Sequence, residues 1–526
     1  MRKAFNLLLF CAIGACAHVF AQTDAGADSV ASQSVIDSMR IDPVVEKPVA
    51  APPEKETLYR YKAEAMASFS SGHTPFWIMN NRYGLSSLER NNGYVRGAVF
   101  KDMSHRSRFS WGFGADIVVP YNFTSKFVIQ QLYAEMRYRS LELAVGSKER
   151  YTGVVNQELG SGDLVFSQNA RPVPQVHLSM PEYENIPGTD KWLAAKGFFS
   201  IGMFSDWRWQ RKHVNHEDGR WGEKIWYSDK GLFLRVGDPD RHQLTVEGGL
   251  EMGTQLCGTV YYYKEGQKKT IKLPHDFKNV IKGLIGLSGG DPNDPQQYGE
   301  RNNAYGNTIG EWSVAATYRL RDTGWKMRVY YQHMFEDHSM MFFNYKWRDM
   351  LLGGEVTLPA NPFVSQVVYE FLYTKDQSGP VFWNKTDKIP EQVSGRDDYY
   401  NNSIYPGWQH WGMGMGNPLV ISPIYNDNNT LSFLHNRIIG HHIGFSGDPC
   451  PQLHYRLLMS YTRSWGSYNV PAPHVLHNFN CLLETTYSPR RLPGWDFRLS
   501  LAADGGRLLG KSYGTMLTIR KTGWIK

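Results

Sequence analysis

The chain has 526 residues, of which 14% are aromatic and 20% charged, and its mean hydropathy is −0.45. This length suits two or three soluble domains or one large β structure, and the aromatic content argues against disorder. The net charge of +7 comes without an RNA-binding motif, zinc-ligand spacing or a long basic helix, so we expect no nucleic-acid partner. After the first two dozen residues, no apolar run is long enough for a membrane helix.

The N-terminus has the pattern of a secretory signal peptide. Two basic residues precede an apolar stretch, and Val19-Phe20-Ala21 offers tolerated residues for signal-peptidase cleavage. We therefore predict a signal peptide over residues 1–21 and a mature chain beginning at Gln22. A lipoprotein signal, with lipidation of Cys16, is the alternative.

Residues 22–57 are rich in Pro, Ala and Ser and contain no aromatic residue. Such a segment buries little apolar surface, so we predict a flexible leader. Cleavage of the signal would leave Cys257, Cys450 and Cys481, an odd number that does not form a disulfide framework.

From Tyr59 onward the chain alternates with a period of two. Val367, Tyr369 and Phe371 share one face of a segment whose other face carries Gln366 and Glu370. This alternation is typical of β-strands with one apolar face. Eighteen such segments follow one another, most near the ~9–11 residues that cross a tilted bilayer. They cover roughly 58–70, 93–103, 107–118, 126–139, 141–148, 173–183, 195–205, 231–237, 241–256, 311–320, 324–336, 350–358, 364–375, 435–446, 452–465, 477–488, 495–504 and 512–522.

The connections between these segments alternate in length. The even-numbered ones are mostly short, whereas the odd-numbered ones include 71–92, 149–172, 206–230, 257–310 and 376–434. A soluble sandwich gives no reason for this segregation, but an outer-membrane barrel has short periplasmic turns and long extracellular loops. The sequence therefore predicts an all-β fold for residues 58–526, a transmembrane antiparallel β-barrel of about 18 strands in contact with outer-membrane lipid.

A more specific pattern occurs in the second long connection. Gly160–Leu164 and Ser167–Gln175, which include Asn169, Ala170, Arg171 and Pro172, resemble the signature of the Wzi-type capsule assembly family. Further matching pieces are Pro75-Phe76-Trp77, Asn80–Gly84 and Val145-Gly146-Ser147. The resemblance implies an eighteen-stranded barrel that holds capsular or exopolysaccharide as a lectin. The Ala-Gln end of the signal peptide is similar to those of Bacteroidetes proteins.

The long connections also hold the candidate glycan-binding residues. Sugar C–H faces stack on aromatic rings, and sugar hydroxyls and carboxylates accept hydrogen bonds from Arg. The alternative is that these rings pack the loops together or form an interfacial girdle. The candidates are Trp207, Trp209, Trp221, Trp226, Arg208 and Arg211, joined by Lys212, in one loop and Trp383, Trp408 and Trp411 in another.

Other polar residues suggest structural roles. We expect Arg171 to pair with an inward Glu and the Asn169–Pro172 motif to serve folding. His441 and His442 are adjacent on a predicted strand and point to opposite faces, so they do not form one metal site.

No nucleophile elbow, zinc-protease helix or phosphate loop occurs in the sequence. We therefore predict a monomeric, non-enzymatic protein without a metal or other cofactor. A diffusion porin and an accessory barrel of a secretion or uptake machine remain alternatives to the polysaccharide-binding barrel.

Overall fold

The chain forms a closed barrel wall of eighteen antiparallel strands. The computed structural model describes residues 59–104, 107–284, 306–336, 348–377 and 397–525. The first strand pairs with the second along one edge and with the last along the other, from Tyr59 opposite Ile525 to Ser71 opposite Tyr513. The wall therefore has no free sheet edge, which is the condition for a sheet to survive in lipid. The predicted signal peptide and leader lie outside the described residues.

The strands divide into the wall and two small sheets in the connections. Five strands, β8, β11, β12, β17 and β18, lie in the connections, and the other eighteen form the wall. In chain order the strands are β1 (Tyr59–Ser71), β2 (Asn91–Lys101), β3 (Phe109–Tyr121), β4 (Val128–Tyr138), β5 (Leu141–Ser147), β6 (Gln175–Asn185), β7 (Leu193–Met203), β8 (Arg220–Glu223), β9 (Trp226–Val236), β10 (Leu244–Leu256), β11 (Thr259–Lys264), β12 (Gln267–Lys272), β13 (Asn307–Leu320), β14 (Trp325–Glu336), β15 (Met350–Thr357), β16 (Gln366–Tyr373), β17 (Gln409–His410), β18 (Met413–Gly414), β19 (Ile438–Cys450), β20 (Leu453–Gly466), β21 (Pro471–Tyr487), β22 (Trp495–Gly506) and β23 (Ser512–Ile525).

Helices are few and short in the described part of the chain. They are α1 (Phe76–Met79), α2 (Trp207–His213) and α3 (Phe277–Leu284), with a 3₁₀ turn at Pro423–Tyr425. Among the described residues, none of these helices combines the length and the apolar character needed to cross a membrane.

Each of the eighteen predicted segments corresponds to one wall strand, so the strand count is confirmed. Three strands begin several residues earlier than predicted. β9 begins at Trp226 rather than 231, β13 at Asn307 rather than 311, and β21 at Pro471 rather than 477. Apolar alternation alone did not reveal these N-terminal ends.

The two faces of the wall differ sharply in polarity. On β16 the Tyr369 side chain points outward and is 48% exposed, whereas the adjacent Glu370 points inward and is fully buried. The same alternation places Tyr455, Leu457 and Tyr461 of β20 on the outer face and Ser460 on the inner face. An apolar exterior and a polar interior are typical of a membrane barrel. His441 and His442 point to opposite faces, as predicted, with only His442 buried.

The long and short connections lie at opposite ends of the barrel, because each strand reverses direction. We call these the loop end and the turn end. The loop end carries the connections 72–90, 148–174, 204–225, 257–306 and 374–437, and the turn end carries, among others, 139–140, 237–243, 321–324, 451–452 and 488–494. The three cysteines beyond the predicted signal are unbridged.

Replacing Leu457 with Arg tests the assignment of the outer face. A charged side chain facing lipid near the bilayer midplane should cost about 2–4 kcal/mol of barrel stability. Leu492→Arg, in an exposed turn between β21 and β22, serves as the matched control and should cost much less. The measurement is the urea midpoint of refolded barrels in lipid vesicles. Equal midpoints for Leu457→Arg and the wild type would reverse the face assignment.

Cysteine labelling on intact cells tests the orientation in the membrane. Lys264 is exposed in the β11–β12 hairpin at the loop end, and Asp322 is exposed at the turn end. We expect a membrane-impermeant maleimide to label Lys264→Cys on intact cells but Asp322→Cys only after permeabilisation, since long loops face the outside. The wild type is the control for labelling of the native cysteines. The opposite labelling pattern would mean an inverted barrel.

Candidate functional site

Parts of three long connections fold back into the barrel and pack against its inner face. We call the connections 72–90 and 148–174, together with residues 397–437, the loop plug. Its apolar residues form the largest buried cluster of the described chain, including Phe76, Trp77, Leu159, Leu164, Trp408 and Leu419. The hydrophobic core of this protein therefore lies inside the wall and is built by loops.

Inward carboxylates of the wall hold the loop plug through its backbone. Glu370 of β16 accepts a hydrogen bond from the Ser161 backbone N–H at 2.7 Å. Glu311 of β13 accepts from the N–H groups of Leu164 and Val165 at 3.0 and 3.1 Å. Backbone groups buried away from water need such partners. The wall thus supplies acceptors that fix the course of the plug.

The Asn169 side chain joins all three connections of the loop plug. Its Oδ1 accepts from the Asn81 backbone N–H at 3.1 Å, and its Nδ2 donates to the Gly414 carbonyl at 3.0 Å. Asn169 is fully buried, and Ala170 beside it is 8% exposed. These contacts suit a structural role for the motif, which stays a prediction.

The prediction that Arg171 pairs with an inward Glu is wrong. Its guanidinium donates to the hydroxyls of Ser125 and Thr124, each at 3.0 Å, and lies 4.6 Å from the Trp411 ring centre. Gly84, at φ +66°, allows this approach, because a Cβ there would lie 2.5 Å from the Arg171 Cγ. Burial lowers the pKa of Arg171 to about 10, although the charge of Asp206 partly opposes this effect.

Salt bridges occupy further positions on the inner face of the wall. Glu484 of β21 pairs with Arg456 of β20 at 3.0 Å and with Arg82 of the loop plug at 2.8 Å. Arg328 of β14 pairs with Glu247 of β10 at 2.7 Å. These inward charges are paired with one another or with the plug, so they do not stand free along an open channel.

Outside the loop plug, α2 and the three-stranded sheet β8–β11–β12 form a compact layer, which we call the platform. The Trp221 and Tyr261 rings stack with their centres 4.2 Å apart, and Trp207 and Trp209 pack against the same cluster. Trp209 also stacks on His213 at 4.6 Å. The platform is thus held together by aromatic packing, which fixes the position of its exposed side chains.

The exposed side chains of the platform are predominantly basic. Arg208, Arg211 and Lys212 are exposed on α2. The hairpin from 259 to 272 adds four lysines against one glutamate, and Lys268 lies 4.3 Å above the Tyr261 ring. This surface combines positive charge with the partly exposed rings of Trp207 and Trp209.

The predicted glycan-binding tryptophans therefore separate into several groups. Trp221 and Trp408 are buried, at 2% and 0% exposure, so they hold the loops and present no face to a sugar. Trp226 begins β9 on the outer face of the wall, which suits the interfacial girdle. Trp207, Trp209 and Trp411 remain partly exposed at the loop end. Trp383 lies outside the described residues.

A polar cleft beside the platform was missed by the sequence reasoning. Its volume is about 520 Å³, and its lining includes Asn402, Asn428, Asn469, Glu336, Asp397 and Asp398. Asp398 is held by the side-chain amides of Asn436 and Asn469, at 2.5 and 2.8 Å. Arg220 of β8 also lines the cleft, and its Nη1 donates to the carbonyls of Asn402 and Ser403 at 2.6 Å. The Asn-rich runs at 401–402 and 426–429 are the only sequence signal that pointed here.

Comparison with solved structures gives the class of the fold. Wzi, an outer-membrane protein involved in group 1 capsule assembly in Escherichia coli and described as a carbohydrate-binding β-barrel, matches with a TM-score of 0.54 and 11% identity over 88% of this chain and 83% of that one. OccAB2 of Acinetobacter baumannii and OccK5 of Pseudomonas aeruginosa match with TM-scores of 0.45 and 0.44, at 10% and 8% identity, each over 89% of this chain and 98% of the other. The closed wall, its apolar exterior and the likeness to Wzi define an outer-membrane β-barrel.

No family model matches this chain, and no curated protein sequence matches it. The likeness to Wzi is therefore one of fold, and the resemblance of the Asn169–Pro172 region to the Wzi-type family stays a prediction. The expected Bacteroidetes origin stays a prediction.

Replacing Asn169 with Ala tests the role of the motif. The change would leave the Asn81 N–H and the Gly414 carbonyl buried without their partner, which should cost about 1–3 kcal/mol. We expect a lower urea midpoint and faster tryptic cleavage within the loop plug. Asn185→Ala, at an exposed position on β6, is the control and should change neither. If Asn169→Ala has the urea midpoint and the cleavage rate of the wild type, the three connections hold together without this side chain.

Proposed function

We propose that this barrel binds capsular or exopolysaccharide at its loop end and retains it at the cell surface without chemical turnover. The observation that carries the proposal is the loop plug inside the barrel. The plug is hydrogen-bonded to Glu370 and Glu311 of the wall, and the cleft and the platform lie at the loop end. A protein built in this way is better suited to hold a polymer than to pass one.

Two neighbouring surfaces at the loop end suit a polysaccharide in different ways. The cleft of about 520 Å³ falls within the range of ligand sites, and its amides and carboxylates match sugar hydroxyls. The platform adds Arg208, Arg211 and Lys212, whose positive charge suits carboxylate or phosphate groups on an acidic polymer. The described carbohydrate binding of Wzi, which shares the fold, supports the same function here.

Polysaccharide retention in living cells tests the proposal. Deletion of the gene should leave total polymer unchanged but shift it from the cell pellet to the medium. The triple variant Arg208→Gln, Arg211→Gln and Lys212→Gln should give the same shift, because all three side chains are exposed and their loss should leave the barrel folded. The measurement is the ratio of cell-bound to released polymer.

The matched control removes three exposed arginines from the turn end through Arg241→Gln, Arg321→Gln and Arg491→Gln. It should retain polymer like the wild type. Binding of purified polymer to the wild type should also weaken as salt rises, since charges are screened beyond ~8 Å at physiological ionic strength. Full retention by the platform variant would contradict a role for these cations.

A diffusion porin is the competing function, because polar inward residues also line pores. It predicts large open-channel steps in a planar bilayer, lower solute uptake in the deletion strain and unchanged polymer retention. These three results together would replace polysaccharide binding with transport. An accessory role in a secretion or uptake machine would instead appear as loss of secretion or uptake without open-channel steps.

A further inference from the structure

A second cavity lies between the loop plug and the wall, near the loop ends of β5, β6 and β9. Its volume is about 80 Å³, which is room for several water molecules or one small ion. Lys148, Arg150 and Arg171 line it together with Gln175 and Asp229. Three cationic side chains thus share the cavity with a single carboxylate.

The three cations differ in how they are neutralised. Lys148 pairs with Glu135 at 2.5 Å. Arg171 donates hydrogen bonds only to the Ser125 and Thr124 hydroxyls and, at 3.4 Å, to the Gly84 carbonyl. None of its hydrogen bonds reaches a carboxylate. Three of its five N–H groups are used in this way, and two remain.

Arg150 is the clearest case of an unmet donor. Both of its terminal nitrogens are shielded from solvent, and neither has a hydrogen-bond partner within the described chain. Asp229 lines the same cavity, and its Oδ1 also lacks a partner among the described residues, yet no ion pair of 4.0 Å or less joins it to Arg150. A buried guanidinium without an acceptor is costly, so in a native protein such a group takes its acceptor from water or from a bound ion.

The missing partner has a definable chemistry. A partner that matches the three cations accepts several N–H bonds, carries negative charge and fits a space of about 80 Å³. A carboxylate or a phosphate group meets all three conditions, because guanidinium groups bind such oxyanions bidentately. A whole sugar chain does not fit, but one charged substituent does.

We propose that this cavity is an oxyanion site in which Arg150 donates its terminal N–H groups to a carboxylate or phosphate, with Arg171 adding charge and further donors. The ligand is either free phosphate or the acidic substituent of a sugar. The site is separate from the platform and the cleft, so it goes beyond polysaccharide binding there and does not depend on it.

Anion-dependent stability of the purified full-length barrel tests the site. The thermal midpoint in detergent is followed while sodium phosphate or sodium glucuronate is added, with sodium chloride at equal ionic strength as the reference. A ligand that binds only the folded state raises the midpoint in a concentration-dependent way. We expect a saturable rise with phosphate, glucuronate or both, and none with chloride.

The variant Arg150→Gln removes the central donor. Its apparent affinity for the stabilising anion should fall about tenfold or more, as expected for losing hydrogen bonds to a charged group. Without added anion it should be at least as stable as the wild type, because the orphaned charge is gone. A purely structural Arg150 would instead make this variant less stable under all conditions. Arg241→Gln, at the turn end, is the control and should respond like the wild type.

The outcomes are distinguishable. A rise with phosphate alone identifies a phosphate site, and a rise with glucuronate alone identifies a carboxylate site. Absence of a saturable effect of either anion on the wild type, or equal anion affinity of Arg150→Gln and the wild type, would overturn the proposal. If Arg150→Gln does not fold, Arg150→Lys replaces it as the variant, because it keeps the positive charge. Equilibrium dialysis of the wild type with labelled phosphate and with labelled glucuronate then decides whether one ion binds per barrel.

Discussion

The structure depends on hydrogen bonds between the wall and the loop plug, because each has buried polar groups that the other pairs. A closed sheet in lipid satisfies its own backbone, but its inward side chains need partners of their own. Here the carboxylates of Glu311 and Glu370 find them in the N–H groups of Leu164, Val165 and Ser161, which in turn need acceptors. Each side pairs polar groups of the other, and the result is a barrel that holds the loop plug inside the wall and has its proposed binding surfaces at the loop end.

The sequence predicted the wall well because each wall strand is determined by residues close together in the chain. Bilayer thickness fixes strand length, and lipid on one side imposes a period of two, so β16 and β20 could be assigned from their own residues. Loop-length parity then gave the topology. For Asn169 the sequence predicts a structural role, since a rigid Asn-Ala-Arg-Pro run suggests folding rather than binding.

The arrangement of the loop-end residues could not be predicted from the sequence, because the residues in contact are distant along the chain. Trp209 and Trp221 lie in one loop with similar neighbours, yet only Trp221 is buried, by packing on Tyr261 and Leu431. The sequence predicted that Arg171 pairs with an inward Glu, whereas its guanidinium lies over the Trp411 ring, which belongs to a plug segment 240 positions later. The cleft joins Asn307, Asn402, Asn428 and Asn469, which no spacing rule brings together.

The charges at the loop end also indicate how an acidic polymer would lie. The exposed Arg208, Arg211 and Lys212 would attract its charged groups to the platform, while Asp397 and Asp398 would repel them from the cleft. Arg220 bonds to carbonyls at the edge of the cleft and so fixes the distance between the two surfaces. A chain crossing both would therefore place neutral hydroxyls in the cleft and carboxylates or phosphates on the platform, so specificity would come from the spacing of charges along the polymer.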